Sequence, residues 1–223
     1  MGKKPLIVVN FKTYTEGTGE NAVRMAKYCE EVSRDSGVDI IACPQTPDIY
    51  RVASSVKIPV FAQHIDGVGA GSYTGHITAD CIKAAGARGT LINHSECRLI
   101  LADIDSALQA AKKSGLTAIV CTNNIAVTKA ASVLAPGFVA IEPPELIGSG
   151  IPVSKADPDI VRGSVAAVKK IAPDVEVLCG AGISRGEDVA AALELGTAGV
   201  LLASGVIKAK DPRAALLDLV KNV

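Results

Sequence analysis

Glu142 follows the apolar run Phe138-Val-Ala-Ile141 and precedes Pro143 and Pro144. Prolines fix φ and donate no backbone hydrogen bond, so this pair ends a strand and aims the carboxylate before it. Two other apolar runs end in the same way on groups able to do chemistry. Asn10 and Lys12 follow Leu6-Ile-Val-Val9, and His94 and Glu96 follow Gly89-Thr-Leu-Ile92. A cation, an imidazole and a carboxylate on one face would suit acid–base chemistry on a phosphorylated substrate.

Two glycine-bearing stretches supply the phosphate side of that reading. Cys179-Gly-Ala-Gly-Ile-Ser184 and Ala203-Ser-Gly205 also follow apolar runs. Glycine lets the backbone approach an anion closely, and N–H groups at a helix start bind phosphate without a side-chain cation. Gly182, Ala203 and Ser204 are the candidates. Taken singly, Lys12 reads as a surface cation, His94 as a hydrogen-bonded core residue and each glycine as a turn. Only the shared position after a strand lifts them.

Other chemistries fit poorly. His94-Ser-Glu96 matches the H-x-E of zinc deaminases, but no P-C-x-x-C follows. Gly180 to Gly186 misses the G-x-G-x-x-G spacing because position 185 is Arg, and there is no P-loop. The six cysteines contain no C-x-x-C pair, and His64 and His76 with Asp66 read as loop hydrogen bonding rather than a metal site. None of these stretches reads as a metal site.

The elements that must position these groups come from the remaining pattern. The 223 residues are 48% hydrophobic and 21% charged, with 23 basic and 23 acidic side chains. The basic residues are scattered, so no nucleic-acid footprint is expected and the partner is a small molecule. No apolar stretch has the length of a membrane helix, and Asn10 and Lys12 interrupt the N-terminal run too early for a signal peptide. The expectation is a cytoplasmic protein.

Eight β-rich apolar runs recur, at 6–9, 39–42, 59–62, 89–92, 117–120, 138–141, 175–179 and 199–202. None alternates polar with apolar, as in a parallel sheet covered on both faces. Their spacing of about 28 residues is the size of a strand, a helix and two loops. Asp157-Pro158 and Asp211-Pro212 read as N-caps with Pro at the first helical position, and Ser184 with Glu187 as a capping box. Gly37, Gly86, Gly115 and Gly196 read as C-terminal stops. An open doubly wound sheet would want a glycine-rich loop after the first strand, where Asn-Phe-Lys stands instead. The expected fold is α/β, a single-domain (β/α)8 barrel over residues 1–223, with the site at the strand C-termini.

Asn10-x-Lys12, Asn93-His94-Ser95-Glu96 and Ala140-x-Glu142-Pro143 with Ile147-Gly-Ser-Gly150 resemble the triosephosphate isomerase family, in order and along essentially the whole chain. "CGAGIS", "GVLLASG" and "GIPVSKADP" resemble its short archaeal branch. The resemblance implies a TIM barrel that interconverts dihydroxyacetone phosphate and D-glyceraldehyde 3-phosphate without a cofactor. Glu142 would be the base, His94 a neutral proton donor and shuttle, Lys12 the stabiliser of developing negative charge, and Asn10 a substrate-positioning group. Phosphate would meet backbone N–H groups near Ile147, Gly182, Ala203 and Ser204, under a lid formed by residues 143–150. The stretch 67–80 resembles the family's protruding third loop, which packs into a neighbouring subunit; a homotetramer is favoured over a dimer. Two alternatives stay open: another sugar-phosphate isomerase or epimerase on a phosphate-binding barrel, and a non-catalytic sugar-phosphate sensor.

Overall fold

The computed structural model describes residues 4–143, 146 and 151–223. Eight strands form one sheet: β1 (Leu6–Asn10), β2 (Asp39–Cys43), β3 (Phe61–Ala62), β4 (Gly89–Ile92), β5 (Thr117–Thr122), β6 (Phe138–Ile141), β7 (Glu176–Cys179) and β8 (Gly199–Leu202). Their order is β2-β1-β8-β7-β6-β5-β4-β3, and every pairing is parallel. A single parallel bridge between Ala42 and Val60 joins the two end strands and closes the barrel. This bears out the expected fold.

Ten helices among the described residues accompany the strands. They are α1 (Glu20–Ser36), α2 (Ile49–Ala53), α3 (Ala79–Ala84), α4 (Leu101–Lys113) and α5 (Ile125–Val133), then α6 (Val153–Ala156), α7 (Pro158–Ile171), α8 (Gly186–Glu194), α9 (Ser204–Ile207) and α10 (Pro212–Val220). None is long and apolar enough to cross a membrane.

The unbroken apolar runs have a packing explanation. Side chains alternate across a strand, and here both sets are buried. Val8, Ile41, Phe61, Leu91, Ile119, Ala140, Leu178 and Leu201 pack together in one cluster inside the barrel. Their neighbours Ile7, Val9, Ile40, Ile92, Val120, Val139, Ile141 and Val200 belong to a second cluster, under the helices. Truncating a fully buried residue such as Leu201 to Ala would cost about 2–5 kcal/mol, because the surrounding barrel cannot collapse into the gap.

The helix boundaries follow the predicted punctuation with one correction. Asp157 accepts from the Ile160 N–H at 3.1 Å and Asp211 from the Ala214 N–H at 3.0 Å, each ahead of a proline. Gly37, Gly86, Gly115 and Gly196 all have positive φ. The Ser184–Glu187 capping box does not form. Helix α8 starts one residue later than that box requires, and the Asp188 carboxylate accepts from the N–H groups of Ser184 and Arg185 instead. β3 is also shorter than the apolar run at 59–62, because Pro59 has no N–H for the ladder and contributes only its carbonyl, to the Ala42 N–H.

Candidate active site

At the C-terminal end of β1 the chain turns sharply. Lys12 adopts φ 48°, a left-handed conformation that costs a non-glycine residue about 1 kcal/mol or more. Three hydrogen bonds hold it there. The Lys12 N–H donates to Asn10 Oδ1 at 2.9 Å, and the amide of Gln63 donates from Nε2 to the carbonyls of Lys12 and Cys43, both at 2.9 Å. The turn carries the Lys12 ammonium to Glu96, where Nζ meets Oε1 at 2.6 Å.

After β4 the same device recurs. Asn93 has φ 61°, and its buried side chain donates to the Cys121 carbonyl and accepts from the Leu99 N–H, each at 2.9 Å. His94 follows and is itself 7% exposed. The Glu96 N–H donates to His94 Nδ1 at 3.2 Å, which assigns the ring proton to Nε2. Glu96 Oε2 lies 3.6 Å from that Nδ1, beyond hydrogen-bond range. The Glu96 carboxylate therefore serves Lys12, and its backbone serves His94.

Glu142 leaves the end of β6, between the ends of β5 and β7. Its N–H donates to the Thr122 carbonyl at 2.8 Å, and the Gly180 N–H donates to the Ile141 carbonyl at 3.0 Å. The side chain is buried, with Oε2 accepting no hydrogen bond from the described residues and lying 3.7 Å from His94 Nε2. Room for it comes from Gly180, where a Cβ would stand 2.7 Å from Glu142 Cγ. Burial, reinforced by this carboxylate, pushes the Cys121 thiol well above its ordinary range and that of Cys179 up to about 12. Both thiols stay neutral beside the carboxylate.

Asn10, Lys12, His94 and Glu142 line one cavity of about 170 Å³, which continues past Ala181, Gly182, Ile183, Ser184, Ala203, Ser204 and Gly205. Gly182 has φ 73°, and a Cβ there would collide with the Ile151 carbonyl. The first turn of α9 begins at Ser204, where N–H groups have no intrahelical acceptor. The cavity thus joins an acid–base end to an end rich in backbone amides.

The structure brings together Asn10, Lys12, His94, Glu142, Gly182, Ala203 and Ser204 from five separate strand ends. Ile147, expected to contact phosphate, lies outside the described residues, as do Pro144, Glu145 and 148–150 of the expected lid. Asp66 contacts His64 and His76 at 3.3 Å each and accepts from the Ile77 N–H at 2.7 Å, the loop hydrogen bonding expected there. Among the described residues no cluster of His, Cys, Asp and Glu could hold a metal ion. A wider hollow of about 660 Å³, lined by Leu6, Asp39, Thr117 and Phe138, opens at the strand N-termini and holds none of the acid–base groups.

Sequence reasoning passed over Gln63 and Asp188, and took Asn93 only as part of a motif. Gln63 could have been found, since it is polar and directly follows an apolar run. Asn93 could also have been flagged, because asparagine tolerates the left-handed conformation better than most residues.

Comparison with known proteins agrees with this arrangement. The family model described as triosephosphate isomerase matches residues 5–223. A triosephosphate isomerase of Methanosarcina barkeri is 66% identical over 219 residues, covering 98% of this chain and 99% of the relative. That of Methanosarcina mazei is 65% identical with the same coverage. The protein of that name from Methanothermobacter thermautotrophicus is 57% identical over 98% of this chain and 96% of its own. With the barrel and the shared cavity of Lys12, His94 and Glu142, a match of this extent means that the chain belongs to the triosephosphate isomerase family.

Proposed function

We propose that Glu142, His94 and Lys12 carry the interconversion of dihydroxyacetone phosphate and D-glyceraldehyde 3-phosphate in this chain. The chain is an isomerase of triose phosphates. The observation that carries the residue assignment is the 3.7 Å approach of Glu142 Oε2 to His94 Nε2 in the cavity that Lys12 also lines. Proton abstraction next to a carbonyl needs a base for the carbon, a donor for the oxygen and positive charge for the enediolate between them.

Glu142 supplies the base. Among the described residues nothing donates to its Oε2, which can take the carbon-bound proton. His94, with its proton on Nε2, donates to the carbonyl oxygens in turn. Lys12 faces the charge that develops, and Asn10 positions the substrate as well as the Lys12 turn. The family pairs a glutamate base with a neutral histidine electrophile, and these roles are carried over from it. Backbone amides at Gly182, Ala203 and Ser204 take the phosphate, with Ile147 as a further contact. Closure of 143–150 over the site, also a known device of the family, would keep water from the enediolate. No cofactor enters the scheme, since the substrate's own carbonyl acidifies the proton.

Three further readings belong with this one. Residues 1–223 act as one domain. The exposed Tyr73 in the 67–80 loop and the exposed Ile100 and Leu101 at the start of α4 support a homo-oligomer, taken as a tetramer; sedimentation at a dimer or monomer mass would contradict it. The cytoplasm is the expected location, since a phosphorylated triose is too polar to cross a bilayer unaided. A coupled assay on each triose phosphate tests the activity: turnover is expected in both directions, and none in either would refute it.

A further inference from the structure

Asp188 does not line the cavity, yet its carboxylate joins two segments that do or adjoin it. It is 2% exposed, in the first turn of α8. Oδ2 accepts from the N–H groups of Ser184 and Arg185, both at 3.1 Å, and Oδ1 accepts from Lys155 Nζ at 2.8 Å. Lys155 lies on α6, whose start is fixed by the Pro152 carbonyl accepting from the Lys155 and Ala156 N–H groups at 3.0 Å each. The backbones of these segments also stack, because Gly182 lies directly against the Ile151 carbonyl and Pro152.

The hydrogen bonding sorts the amides of the 180–186 turn. Those of Ser184 and Arg185 point away to Asp188, and that of Gly186 donates to Asp218 on α10 at 2.9 Å. Gly182 and Ile183, which precede them, line the cavity. We infer that Asp188 and Lys155 form a positioning pair that orients the Gly182–Ser184 turn toward the substrate phosphate. The pair also solves an electrostatic problem. A buried carboxylate behind a phosphate site repels the incoming anion, and the Lys155 ammonium cancels that charge. The inference rests on the reading of the glycine turn as the phosphate end of the site.

Inorganic phosphate, used as a competitive inhibitor of the purified enzyme, separates the two claims. Lys155→Met should weaken phosphate inhibition and raise KM for triose phosphate by about tenfold, the size expected when a charge-assisted hydrogen bond is lost. Its kcat should change far less, because no reacting group moves. Lys155→Arg should restore both values. Adding Asp188→Asn to Lys155→Met should also recover phosphate affinity, since it removes the uncompensated charge and keeps an acceptor for the two amides; this double variant serves if the single one folds poorly. Wild-type phosphate affinity and KM in Lys155→Met would overturn the inference. Failure of phosphate to inhibit the wild-type enzyme would instead remove the phosphate reading on which it stands.

Discussion

Lys12 Nζ and Glu96 Oε1 meet at 2.6 Å across the ends of β1 and β4, and the lysine side chain is 11% exposed against 56% for the glutamate. The cation therefore faces the cavity while its partner faces water. Lys12→Met should lower kcat by about 100- to 1,000-fold, the usual scale for removing one preorganised charge stabiliser. The melting temperature should barely move, because methionine accepts the left-handed backbone no worse than lysine and the orphaned Glu96 stays hydrated. Steady-state kinetics beside a thermal melt checks both parts.

Gly180→Ala separates the base from the fold. The added Cβ would stand 2.7 Å from Glu142 Cγ and 2.9 Å from its Oε1, so the carboxylate must shift. We expect kcat to fall at least tenfold with the barrel intact by circular dichroism. Gly182→Ala differs, because φ 73° and the Ile151 carbonyl both oppose it. It should cost about 1 kcal/mol or more of stability in addition to activity, read from denaturant unfolding.

Acid should unfold the protein through particular carboxylates. Burial works to raise Asp66, but the Ile77 N–H with His64 and His76 outweighs it and holds the group below the usual carboxylate range. Asp188 is likewise opposed by burial and lowered by Lys155 and the Ser184 and Arg185 amides. Lys221 and the Gly186 N–H lower Asp218. A depressed folded value means that the unfolded chain binds protons first. The stability these groups add is complete above about pH 4 and is lost as pH falls through their folded values. Melting temperature should hold from pH 7 to 5 and drop below pH 4, with a shallower drop in Asp66→Asn, which no longer titrates.

The cysteines should divide four to two in alkylation. Burial pushes Cys29 up to about 12 and Cys43 higher still, and Cys121 and Cys179 are raised beside Glu142. Cys81 and Cys97 are exposed. Iodoacetamide at pH 8 should add two groups to the folded protein and six after denaturation, counted by intact mass.

Much of this was readable in the sequence, for physical reasons that differ by residue. The runs at β4, β6 and β8 match their strands residue for residue, because burial on both faces leaves no polar position to blur the ends. Asn10, Lys12, His94 and Glu142 could be placed because polar groups directly after such runs must emerge at the barrel's C-terminal rim. The Asp188 bonds could not be read in the same way. Ser184 and Glu187 satisfy the local capping pattern, but a carboxylate one residue further on reaches the same turn and is neutralised by Lys155, 33 residues earlier. Gln63 likewise acts on Lys12 across 51 residues, and no local spacing encodes that distance.

The account turns on Glu142 as the base, and hydrogen exchange measures that directly. In D2O, the wild-type enzyme should convert dihydroxyacetone phosphate to product carrying carbon-bound deuterium, as proton transfer through a single carboxylate open to solvent exchange requires. Glu142→Gln, isosteric but unable to accept the proton, should lose both isomerisation and deuterium incorporation by about 100- to 10,000-fold, with an unchanged fold. Incorporation by this variant at the wild-type rate would contradict the assignment.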